Sequence, residues 1–419
     1  MKKKFFVAFF IIVIVFVSAN LFWKHFFGKD LLCLLKLTDE NYAYIDKYYV
    51  YGTHLNISGS LDISFNVDNA YIVFKNQNDE LTYDLKYQVV DNKLLFETSS
   101  LINDGICLDD IKISDYLVFL KIVDNDIVKY YSLKNDTKYN DVEYYTVTRN
   151  NKNNQVKINF NSKKNKEYLC INVKESSSDY YDVVIDAGHG GDDPGANYNN
   201  YNEADITLDY ALSLKKELEK LGLKVKLTRS DDIYIDTYGK NSRTAIPYEA
   251  KAKYVFSIHL NSCEEVTSGG VEIYAPHNAN LDFATSLAKN IKIEANTKYS
   301  NNESNKIEDG VYIRTFTKEE ITESISEAKE NGYNPYAITT DTNYYFIIRE
   351  TGGFMTGAYV DGRNKDYDKN EYYNSNVGAE GYLLELGYIN NRSDLNNLLN
   401  NKRGYINGIV SSIKNELNL

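Results

Sequence analysis

Four polar side chains stand at the edges of elements that read as core. His189 follows the run DVVID in the glycine-rich stretch VVIDAGHGG, His259 ends the run in KYVFSIHLNS, Glu385 interrupts GYLLELGYINN, and Glu203 opens EADITLDYALSLKKELEKLG. Two neutral imidazoles and a carboxylate make a three-ligand zinc set with a fourth position left for water. A second carboxylate beside that water supplies a general base. Each residue also has a structural reading: a turn histidine for His189, a hydrogen-bonded core histidine for His259, and a first-turn carboxylate favoured by the helix macrodipole for Glu203, with Asp205 as its rival. Glu385 is hardest to read as structural, because an unpaired carboxylate within Leu-Leu-Glu-Leu carries a desolvation cost of several kcal/mol. His54 stands alone and His277, in APHNAN, matches no ligand position; both read as structural or surface residues.

The elements that must position these groups follow from periodicity. From Asp182 the rhythm is strand, loop, helix. DVVID and LKVKLTR read as strands, followed by KYVFSI, GVEIYA, NYYFIIR and GYLLEL. EADITLDYALSLKKELEKLG reads as an amphipathic helix closed by Gly222, with further helices at LDFATSLAKNIKIEA and from Ser393 onward. This predicts an α/β unit over 182–419 with a mostly parallel sheet flanked by helices and the polar groups at carboxyl ends of strands. Residues 48–173 alternate in short Val/Ile/Tyr/Phe runs broken by Asn, Asp and Gly, predicting a β-rich, sandwich-like domain. Residues 28–47 read as a linker and 174–181 as a hinge.

Several separated stretches resemble one family. DAGHGGDDPGA, NEADITLDYALSL, LTRSDD, SIHLNS and LLELGYINN occur in the order and spacing of the zinc-dependent N-acetylmuramoyl-L-alanine amidases, which cleave bacterial peptidoglycan. The resemblance implies that His189, Glu203 and His259 bind Zn2+ and that Glu385 is the catalytic glutamate. It also implies that the bond cut is the amide between the lactyl group of N-acetylmuramic acid and L-alanine. Arg243, sixteen residues before His259, falls where the family carries an arginine and is a substrate-binding candidate. The competing readings are a catalytically inactive wall-binding or regulatory module and another zinc peptidase acting on peptidoglycan.

The sequence departs from the family in two places. Pro247-Tyr248 stands where Ala-Asn is usual, which moves a helix start toward Pro247. An insertion at about 300–376 includes TKEEITESISEAKENG, a helix by pattern; it reads either as decoration lengthening the substrate cleft or as a lid lifted by an activating protein partner.

At the N-terminus MKKK precedes nineteen uncharged residues, Phe5 to Trp23. That length spans a bilayer, and the lysines hold the terminus in the cytoplasm. The expectation for residues 1–27 is a single-pass membrane anchor with the remainder on the extracytoplasmic side; a signal segment cleaved near Val17-Ser18-Ala19 is the alternative. The net charge of −12 argues against nucleic acid as a partner, since phosphate binding needs a basic face. Four cysteines in 419 residues make no disulfide scaffold; Cys107 and Cys170 read either as one disulfide, if the chain is exported, or as two free buried thiols.

Overall fold

The structure, a computed structural model, describes residues 42–352 and 377–419 apart from short stretches at 99–104, 136–140, 149–152, 164–165, 178, 265–266, 278–280, 333–334 and 336–337. Residues 1–27, expected to be a membrane anchor or signal segment, and residues 353–376 lie outside the described residues. Among those described, no helix is long and apolar enough to cross a membrane.

The N-terminal unit is built from β1 (Tyr42–Tyr51), β2 (His54–Asp62), β3 (Asn69–Lys75), β4 (Glu80–Asp84), β5 (Lys86–Val90), β6 (Lys93–Glu97), β7 (Ile106–Cys107), β8 (Ser114–Asp124), β9 (Ile127–Asn135), β10 (Val142–Tyr145), β11 (Asn154–Lys163) and β12 (Lys166–Glu175). β1 begins at Tyr42, inside the stretch read as a linker. The strands form one branched ladder in which β8 pairs with β3, β9 and β12. The sandwich-like expectation thus meets one continuous sheet folded around its core in place of two separate ones. Alternation explains the wrapping: Tyr116, Val118, Leu120 and Ile122 of β8 are buried in one cluster with Ile45, Tyr48 and Val50 of β1. Among the described residues, Cys107, Cys170 and Cys263 form no disulfide.

The C-terminal unit has a seven-stranded sheet in the order β16-β13-β17-β22-β18-β20-β19. Its strands are β13 (Val183–Ala187), β16 (Val225–Leu227), β17 (Tyr254–Asn261), β18 (Glu272–Tyr274), β19 (Lys306–Glu308), β20 (Val311–Tyr312) and β22 (Glu380–Tyr388); β14 (Asn197–Tyr198) and β15 (Tyr201–Asn202) form a small ribbon, and β21 (Val377–Gly378) leaves to join β1. The sheet is mixed, which corrects the mostly parallel expectation. β16, β13, β17 and β22 are mutually parallel, but β18 runs antiparallel to β22 and β19 to β20. The reason is connection length. A parallel return needs a crossover of about a dozen residues or more, usually a helix; β17 and β18 are joined by ten residues, 262–271, and β19 and β20 by only Asp309-Gly310.

Helices α1 (Glu203–Lys220), α3 (Leu281–Glu294), α6 (Arg392–Asn400) and α7 (Lys402–Leu417) cover this sheet. In α1, Ile206, Tyr210, Ala211, Leu214 and Leu218 are buried, one stripe at spacings of three and four. α2 (Ile246–Glu249) is a single turn with Pro247 in its first positions. α4 (Lys318–Glu330) carries a full capping box between Thr317 and Glu320, and none of its residues is buried. NYYFIIR, predicted as a strand, is instead the start of α5 (Phe346–Thr351), with Ile347 to Thr351 all buried. A short apolar run buried on every side has no periodicity to separate the two.

Candidate metal centre

The three predicted ligands meet where β13, α1 and β17 converge. One ligand atom each from His189, Glu203 and His259 lies within 4.8 Å of the others. His189 sits just past β13, His259 near the end of β17, and Glu203 on the first residue of α1. Glu203 Oε1 is 3.1 Å from His189 Nε2 and 2.9 Å from His259 Nδ1. It also accepts from Leu260 N–H at 2.9 Å, while Oε2 accepts from Ala196 N–H at 2.9 Å. Burial opposes ionisation of Glu203, but the two imidazoles outweigh it and hold the carboxyl far below its ordinary range. Its rival Asp205 is exposed.

The glycine loop makes this approach possible. A Cβ on Gly188 would lie 2.5 to 2.8 Å from three atoms of the His259 ring. One on Gly195, where φ is +66°, would lie 2.6 Å from the His189 ring and 2.7 Å from Glu203 Oε2. His189 itself has left-handed backbone, φ +61°. Two buried arginines hold that turn by its carbonyls. Arg229 donates to Ala187 O, Gly188 O and Ala204 O at 3.0, 2.8 and 2.7 Å. Arg243 donates to Ala187 O at 2.7 Å and to His189 O and Asp186 Oδ1 at 2.5 Å. Arg243 is 5 % exposed, so the guanidinium singled out for substrate is engaged beneath the loop. Asp186, fully buried, also accepts from Thr228 and Ser257 hydroxyls at 2.8 and 2.7 Å. Burial alone would raise its carboxyl; Arg243 and these hydroxyls hold it below the ordinary value.

Asp193, within the quoted DAGHGGDDPGA but not singled out there, completes the arrangement. Its Oδ2 is 2.8 Å from His189 Nδ1, and its Oδ1 accepts from Gly195 N–H at 3.1 Å. A carboxylate on one ring nitrogen fixes the proton there and leaves Nε2 as the donor facing the cluster. Burial lowers the His189 pKa, but Glu203 and Asp193 outweigh it and raise it above the ordinary value.

Glu385 is not among the three clustered ligands. It lies in register beside His259 on β22 and opposite Glu272 on β18. Glu385 as a whole is half-buried, yet its Oε2 is sealed from solvent with no hydrogen-bond partner. Burial, then Glu203 and Glu272, push its carboxyl well above the ordinary range. Glu272 is buried and accepts from Ser300, Tyr388 and Tyr274 hydroxyls at 2.6, 2.5 and 2.8 Å. The signal for it was available, an acidic residue within GVEIYA. His277 is exposed and His54 pairs with the Thr53 hydroxyl at 3.0 Å, both away from the centre. A His/Glu/His donor set, a carboxylate fixing one imidazole and a second, unpartnered carboxylate nearby fit a divalent cation: its charge would offset the crowded carboxylates.

Residues 183–359 match the N-acetylmuramoyl-L-alanine amidase family; the match includes His189, Glu203 and His259 and ends before Glu385. A probable cell wall amidase, LytH of Staphylococcus aureus, is 34 % identical over 113 residues, 26 % of this chain and 36 % of that protein, so the chain spans about a third of the relative's length. Among solved structures, the catalytic domain of the amidase CwlV from Paenibacillus polymyxa is 23 % identical over 57 % of this chain and 98 % of that one, with a TM-score of 0.38. An N-acetylmuramoyl-L-alanine amidase from Clostridium difficile 630 is 21 % identical over the same shares, with a TM-score of 0.39. The segment that carries the clustered histidines and Glu203 is thus similar to the N-acetylmuramoyl-L-alanine amidases.

Proposed function

We propose that the chain is a zinc-dependent N-acetylmuramoyl-L-alanine amidase acting on peptidoglycan. The observation that carries this reading is the meeting of His189, Glu203 and His259 within 4.8 Å, beside a carboxylate whose Oε2 is buried and unpartnered. When bound, zinc supplies a Lewis acid that polarises the amide carbonyl and acidifies water. His189 Nε2, His259 Nδ1 and a Glu203 oxygen would hold it, and Asp193 orients His189. Glu385 takes a proton from the attacking water and passes it to the leaving amine nitrogen as the carbon–nitrogen bond breaks. The products are a free lactyl carboxylate and a stem peptide with a free L-alanine amine. Arg243 and Arg229 keep the 187–189 carbonyls turned inward, and we read Arg243 as a positioning residue in place of a substrate contact.

The same proposal places residues 182–419 as the catalytic domain, on the extracytoplasmic side of a membrane held by the N-terminal apolar segment. The β-rich unit lies between the two. Metal analysis with product identification tests the activity. The purified chain is expected to hold one zinc and to release intact stem peptides from peptidoglycan, leaving lactyl groups free. Shortened peptides with the lactyl amide intact would indicate a peptidase instead. Glu385→Gln is expected to keep its zinc and lose at least about a hundredfold in rate; a variant as active as the parent removes Glu385 from the mechanism.

A further inference from the structure

The strand that carries Glu385 is gripped at its other end by the N-terminal sheet. β21 pairs in parallel with β1, Val50 with Val377 and Tyr51 with Gly378, and Gly52 N–H donates to Gly378 O at 2.9 Å. Val377 packs against the N-terminal core. One residue further, Ala379 N–H donates to Thr351 O and Glu380 N–H to Lys253 O, at 2.8 and 2.7 Å. Gly52 and Thr53 form the buried tip of the β1–β2 hairpin. Gly52 has φ +57°, and a Cβ there would lie 2.9 Å from Glu380 Oε2 and 3.2 Å from Glu380 Cβ. The tip is therefore seated against the first residue of β22.

Register makes this contact matter. β22 pairs with β17 without interruption from Tyr254 beside Glu380 to His259 beside Glu385, and the ladder then shifts before Asn261 meets Tyr388. On its other side, among the described residues, β22 has three pairs to β18. Beyond Glu385 the ladder with β17 is irregular, so its regular rungs all lie between Glu380 and Glu385. A slip of one residue there turns every side chain of a strand to the opposite face. From Glu380 to Glu385 is about 16 Å of strand.

We propose that the tip of the β1–β2 hairpin at Gly52, together with the β1–β21 rung, is a positioning element for Glu385, so that the N-terminal sheet belongs to the catalytic apparatus. This rests on the role given to Glu385 above. The hairpin touches neither the three ligands nor the reacting atoms, and its effect falls on the rate of the chemical step while the metal stays bound.

The test uses the full chain with Gly52→Val, which adds strain and a clash with Glu380, and Val377→Asp, which places a charge against the N-terminal core. Zinc content, kcat and KM on a soluble muropeptide, and hydrogen exchange of amides 380–386 are measured. Expected are zinc equal to the parent, KM within about twofold, kcat lowered at least about tenfold, and faster exchange across 380–386. A variant that melts cooperatively with parental kcat overturns the proposal, as does loss of zinc in step with kcat. Should either variant fail to fold, Val377→Ala is judged by the same criteria. If the parent itself releases no stem peptide, the amidase reading fails, and unchanged exchange at 380–386 in the variants then overturns the positioning role on its own.

Discussion

Asp193 shows how much of the centre depends on a residue outside the candidate ligand set. Its carboxylate sits 2.8 Å from His189 Nδ1 and is itself held by Gly195 N–H, so ring orientation and loop shape are fixed together. Removing such a partner typically weakens metal binding by about 10–100-fold. Asp193→Ala is expected to lose zinc affinity in that range, measured by competition with a chromophoric chelator, with little change in the melting temperature of the metal-free protein. An unchanged affinity would show that the turn alone orients His189. The three clustered residues are readable in the sequence, because His189 and His259 stand at the ends of apolar runs, Glu203 at the head of an amphipathic helix, and all three within recognisable stretches. Asp193 and Arg243 were harder to assign, since spacing names a residue's neighbours but not which way its side chain turns. The left-handed backbone of His189 aims its carbonyl at Arg243 and its ring at Glu203.

At the scale of elements, the pattern read in sequence was good for long amphipathic stretches and poor for short ones. α1, α3 and α7 carry stripes of three and four that periodicity finds directly. NYYFIIR and the direction of β18 and β19 depend on connection length and surrounding burial, which no local pattern contains. The contact of α3 with α7 gives a case where local preference and packing have opposite signs. A Cβ on Gly404 would lie 2.4 Å from Glu294 O, and one on Gly408 would lie 2.5 Å from Ile291 Cα; both glycines let the helix backbones touch. In an isolated helix Gly→Ala gains about 1 kcal/mol. Overpacking at a fixed contact costs about 1–3 kcal/mol, and here the obstruction is backbone. Gly408→Ala is therefore expected to lower the melting temperature by a few degrees while leaving zinc content intact. A rise in melting temperature would mean the helices separate at no cost.

Across the whole molecule the two units share a buried polar junction, and Lys253 is its most exacting member. Only 1 % of it is exposed. Its Nζ donates to Lys251 O at 2.9 Å and lies 4.3 Å from the Tyr180 ring centre and 5.3 Å from that of Tyr144, in β10 of the N-terminal sheet. Burial pulls the ammonium down to about 7, against the opposing charges of Asp182 and Asp109 and with Lys251 and Lys224 acting in the same direction as burial. Asp182 accepts from Thr148 N–H of the N-terminal unit at 2.9 Å and Lys224 N–H at 2.7 Å. An unfolded lysine titrates near 10.4, so between about pH 7 and 10 the unfolded chain binds a proton that the folded chain does not. Stability then rises with pH across that window, by at most about 1.4 kcal/mol per unit; below it both states carry the charge and the contribution is flat. Tyr180 is pushed up to about 12 and Tyr144 well above its ordinary value, both first by burial, so neither titrates in the window. Paired melts of the parent and Lys253→Met should show the parent gaining on the variant from pH 7 to 10 and a constant difference from pH 5.5 to 6.5. A difference that stays level from pH 7 to 10 would mean that the junction opens enough to hydrate Lys253, and that the two units are less tightly joined than their shared side chains require.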